Sequence, residues 1–80
     1  MSHERLVQLI RTHQDAIAAG QEPIAVHEVI LSIFRALDQG EITAGRALYL
    51  LGYQAVHWAD EPTHAALYRQ AAADIRQMRA

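Results

Sequence analysis

Breaks in the chain fall at intervals of about twenty residues, and the stretches between them suit only one kind of element. Gly20 ends a first stretch, and Glu22-Pro23 opens a second with proline at a first-turn position, where its missing N–H costs nothing. Gly40 ends the second, where glycine enters a left-handed cap without strain. Thr43 has the side chain of an N-cap for a third, and Asp60-Glu61-Pro62 divides that from a fourth. These signals predict helices over 3–19, 23–38, 43–59 and 62–79, each about 25 Å long at 1.5 Å per residue. Connections of only a few residues favour antiparallel neighbours. Composition agrees, since 19 Leu, Ile and Val and 15 Ala stand against four Gly and two Pro. The expected fold is all-α: four short helices in an antiparallel bundle or compact helical array, forming one domain over residues 1–80.

Stepping residues at 100° sorts each segment into faces. In the first, Leu6, Leu9, Ile10, His13, Ala16 and Ile17 share one side, and Glu4, Gln8, Arg11 and Asp15 the other. In the fourth, Leu67, Ala71, Ile75 and Met78 form a stripe with His64 and Tyr68 alongside, while Arg69, Ala73, Arg76 and Gln77 face away. The second segment is apolar around more than half its circumference: Val26, Val29, Ile30, Ile33, Phe34 and Leu37 cover one face, and Ile24 and Leu31 widen it. Only Glu28, Ser32, Arg35 and Gln39 are left for water. Such a helix is central to its fold or covered by another chain, and a core this small points to a homodimer that buries the surplus.

The third segment carries two apolar lines. Ala44, Leu48, Leu51, Ala55 and Trp58 read as the core side. Tyr49, Tyr53 and Val56 form a second line at i, i+4 and i+7, bordered by Arg46 and His57. Tyr and Arg are enriched where proteins meet, because each brings a large contact area with a polar tip. Gly45, Gly52 and Ala59 recur every seven residues between the lines, a spacing that admits the close approach of a crossing backbone.

Several function classes are excluded early. With no Cys, disulfides, thiolate catalysis and cysteine zinc sites are all out of reach. No apolar run approaches membrane-spanning length, and Met1-Ser2-His3-Glu4 lacks the shape of a secretory signal, so a cytoplasmic location away from membranes is expected. Seven Arg against nine acids give a net charge of −2, which does not favour generic binding to nucleic acid or anionic lipid. Neither the phosphate-binding glycine pattern nor the nucleophile elbow occurs. His57, Glu61 and His64 are the nearest approach to a metal set, but they straddle Pro62 and lack the paired histidines of a helical zinc site. Glu28, Asp38, Asp60, Glu61 and Asp74 are expected on solvent faces or beside helix ends. No catalytic, cofactor or metal residue is therefore assigned, and the chain is not expected to be an enzyme. His13, His27 and His64 lie on or beside apolar stripes, where imidazoles bond at helix edges or form a polar cluster that senses pH.

The run from Gly40 to Gly52 resembles the first helix and turn of small prokaryotic repressors and antitoxins, with Ile42, Ala47 and Leu51 packing it and Gly52 as the turn. That resemblance implies a helix-turn-helix DNA-binding repressor or antitoxin using residues 43–59, the alternative reading. Its recognition helix, Tyr53 to Ala59, contains no Arg or Lys for phosphate or guanine and runs into Asp60-Glu61. The preferred expectation is a small regulatory or inhibitory protein acting by protein–protein binding, of the antitoxin, immunity, anti-activator or phage-inhibitor type. Its partner-binding residues would be Arg46, Tyr49, Tyr53, Val56 and His57, with the acidic Asp60-Glu61 corner selecting a basic partner.

Overall fold

Residues 3–79 are described by a computed structural model. Four helices follow one another: α1 (His3–Ala18), α2 (Ile24–Asp38), α3 (Ala44–His57) and α4 (Pro62–Arg79). Their boundaries come from local chemistry. Gly20 (φ +70°) and Gly40 (φ +75°) take the left-handed conformation just beyond α1 and α2, where other residues would be strained. The Thr43 hydroxyl accepts a hydrogen bond from the Arg46 backbone N–H at 3.1 Å and so caps α3. Pro23 stands at the N-cap of α2, one residue ahead of the helix, and its carbonyl accepts from the N–H groups of Val26 and His27.

α1 packs chiefly on α2, and α3 chiefly on α4, with α2 touching both α3 and α4. The first pair is antiparallel: His3 at the start of α1 reaches Asp38 at the end of α2, and His13 meets His27 near the opposite end. The result is an all-α compact helical array. Its core gathers Leu6 and Leu9 from α1, Val26, Ile30 and Phe34 from α2, Ala47 and Leu51 from α3, and Tyr68, Ala71 and Ile75 from α4.

α2 is the central helix. Ile30 and Phe34 are fully buried, and Leu31, on the flank of the wide apolar arc, is buried within the single chain as well. Of the two residues that widen the apolar arc, the chain's own helices bury Leu31 and leave Ile24 half-buried. On α4 the buried face is rotated from the expected stripe: Ala65, Tyr68 and Ala72 are buried, while Leu67 and Met78 are half-buried. Burial raises the Tyr68 phenol above its ordinary value. Asp74 departs from the solvent-face expectation. It is buried on α4, accepts a hydrogen bond from Gln70 Nε2 at 3.0 Å, and lies 3.9 Å from the Arg5 guanidinium. Burying a carboxylate is tolerable when such partners surround it, which apolar periodicity cannot foretell.

α3 corrects two further expectations. It runs unbroken through Gly52, so residues 43–59 do not form a helix, a turn and a second helix. No crossing backbone approaches Gly52 either, for a Cβ placed there would meet nothing within 4 Å. Among the described residues, no helix is long and apolar enough to cross a membrane.

Candidate functional site

α3 has one face buried and one open. Ala47, Leu51 and Ala55 point inward against α2 and α4, with Leu48 and Trp58 half-buried beside them. The opposite side presents Tyr49 (60% exposed), Tyr53 (59%) and Val56 (78%), which are the large hydrophobic side chains the described chain leaves to solvent. All three stand on one face of one helix. Isolated apolar residues on a surface are ordinary, but a contiguous line of them is a mark of an interaction site.

The polar residues bordering that line are in contact with it. Arg46, in the first turn of α3, sets its guanidinium 5.0 Å from the centre of the Tyr49 ring, a cation–π contact across one turn. Tyr53 and His57, also a turn apart, stack with centroids 6.3 Å apart and planes within 9° of parallel. The residues expected to bind a partner therefore form two pre-paired units, Arg46–Tyr49 and Tyr53–His57, on one exposed surface with Val56 beside them. Rings already held by neighbours lose less freedom on binding. Asp60 and Glu61 are exposed in the turn after α3, at its C-terminal end. The Glu61 carbonyl accepts from the Ala65 N–H, which puts both acids at the start of α4, where the helix dipole favours negative charge.

Sequence spacing did not disclose what adjoins this face. His57 meets Trp58 edge-on at 5.3 Å, and Trp58 stacks on His64 of α4 at 4.9 Å. Together with Val26 and Val29 of α2, and with Tyr53, these side chains line a largely apolar cavity of about 270 Å³. Its volume falls just below the roughly 300–1,000 Å³ of pockets that take drug-sized ligands. The buried His64 Nδ1 on its wall has no hydrogen-bond partner. His57 and His64 thus flank Trp58, one edge-on and the other stacked. Among the described residues, no three His, Asp or Glu converge where they could hold a metal ion.

A second histidine grouping lies between α1 and α2. His13 and His27 are both buried, with Nδ1 atoms 2.9 Å apart, so one ring donates and the other accepts. Phe34 lies 5.6 Å from the His13 ring. Burial, and then the neighbouring His27, push the His13 imidazole below its ordinary value, against the pull of Asp74. The sequence marked both residues as stripe histidines; only the antiparallel pairing of α1 and α2 brings them together. No protein-family model, curated protein or solved structure matches the chain.

Proposed function

We propose that this chain is a small, non-enzymatic regulatory or inhibitory protein, cytoplasmic in location, that acts by occupying a partner protein's surface through the outer face of α3. One observation carries the reading: Tyr49, Tyr53 and Val56, the large exposed hydrophobics of the described chain, all lie on that face. Arg46 and His57 hold the two rings, and Asp60 and Glu61 add an acidic end suited to a basic partner. The largely apolar cavity beside Tyr53 supplies a recess for apolar groups of the partner. Steric occlusion and charge matching are the whole mechanism, and no catalytic group is called on. A helix-turn-helix reading would need a turn inside residues 43–59, where α3 is continuous.

The test is capture of partners from source cells by the wild-type chain and by Tyr53→Ala, with melting measured in parallel. Removing a desolvated tyrosine from the centre of an interface costs about 2 kcal/mol or more, roughly thirtyfold in affinity. An exposed tyrosine with no binding role changes stability by less than about 0.5 kcal/mol. The reading expects a partner held by the wild type and lost by a variant that melts unchanged. A partner held equally by both would overturn it.

A further inference from the structure

We propose that the outer face of α3 also pairs with the same face of a second copy of this chain, the two helices antiparallel about a two-fold axis at Tyr53. This rests on reading the face as a docking surface and names one occupant for it.

The order of residues along the face carries the inference. Arg46 stands in the first turn of α3, seven positions before Tyr53, and Asp60 and Glu61 stand in the turn just past His57, beyond the other end of the helix. Four before is Tyr49, and four after is His57. A two-fold axis perpendicular to α3 at Tyr53 therefore sets Arg46 of each copy toward the acidic corner of the other. It also sets Tyr49 of each copy toward His57 of the other, and Tyr53 against itself. A parallel arrangement would put arginine on arginine and acid on acid. Antiparallel pairing is thus the orientation that matches charge: Arg46 stands at one end of the aromatic face, and the exposed acids follow the helix at its other end. Arg46, Asp60 and Glu61 are all exposed, and none forms an ion pair with a described residue of its own chain.

Size sets the strength. Aromatic side chains bury 150–250 Å² each, so two tyrosines about 60% exposed, with Val56, His57 and the Arg46 stem, offer on the order of 1,000 Å² summed over both copies. That is the small end of specific interfaces, the range of weak and transient encounters. The same face cannot hold a second copy and another protein at once, so self-pairing competes with partner binding and sets a concentration above which the free face is depleted.

Sedimentation of the wild type, of Arg46→Glu, of Asp60→Arg and of an equimolar mixture of the two variants tests this from 1 µM to 1 mM. Each variant alone would face itself with two like-charge contacts, whereas the mixed pair regains two opposite-charge contacts. The expected result is a concentration-dependent dimer for the wild type, weakened about tenfold in either variant and recovered in the mixture. Both substitutions are at exposed positions, and circular dichroism confirms that the variants remain folded. A wild type that stays monomeric throughout, a dimer indifferent to both variants, or a mixture that fails to recover would each overturn the proposal. A monomeric wild type whose partner is still lost on Tyr53→Ala would overturn self-pairing alone and leave the docking surface standing.

Discussion

Replacing Gly52 with alanine should stabilise the protein, and the same replacement at Gly40 should destabilise it. Gly52 lies in the interior of α3, on a helical backbone, and is exposed. A Cβ added there meets no atom within 4 Å, so alanine brings no clash and no contact to gain. What remains is intrinsic propensity, by which glycine in a helix interior is about 0.8–1.0 kcal/mol worse than alanine. With nothing to offset it, nearly the full amount should appear as added stability. For a domain of this size, 1 kcal/mol raises Tm by roughly 4–8 °C. Space is equally open at Gly40, but its backbone is left-handed (φ +75°). There a Cβ costs about 1–2 kcal/mol, against a smaller gain from restricting the unfolded chain, and Tm should fall by several degrees. Thermal melts followed at 222 nm, with urea titrations as a check, would measure both. A Gly52→Ala variant that melts below wild type would mean instead that the added methyl group clashes, and that the space beside Gly52 is not open.

Acidification should weaken the fold through His13. Its imidazole titrates near 6.5 when unfolded and is held lower in the folded protein, by burial first and by His27 second. As pH drops through 6.5, the unfolded chain takes up a proton that the folded chain refuses, so stability declines, and the decline stops only below the folded value. Urea midpoints from pH 8 to 5 should fall more steeply for wild type than for His13→Gln, and equal slopes would contradict the assignment. Thr43→Ala removes the hydroxyl that caps α3 and should lower stability by about 1 kcal/mol in the same urea assay. An unchanged midpoint would show that the cap contributes nothing.

What was legible in the sequence was mostly local. Gly20, Gly40, Thr43 and Pro62 act on their own few residues, so the helix boundaries they imply lie within two residues of those observed. The two faces of α3 were also readable, because spacing alone decides which side chains share a side of a helix. Tertiary packing escaped. The wide apolar arc of α2 was visible, but that neighbouring helices would cover Leu31 was not. Asp74 read as an ordinary surface acid because its burial depends on Arg5 and Gln70, one of them sixty-nine residues away in sequence. His13 and His27 bond only because α1 and α2 run antiparallel. At the candidate site, Tyr53 and His57 were marked, yet the cavity beside them needs Val26, Trp58 and His64 from three different places along the chain. Gly52 misled twice, first as a turn and then as a contact point, since a glycine's sequence cannot say which of its uses applies.

Cross-linking inside the cell reports whether the outer face of α3 is where this protein meets other proteins. A photoreactive phenylalanine analogue replaces Tyr53 in one strain and the exposed Ser32, on the polar strip of α2, in another. After irradiation, the chain is resolved by denaturing electrophoresis. Discrete higher-mass adducts are expected from position 53 and none from position 32. Adducts from position 32 with none from position 53 would contradict that role of α3.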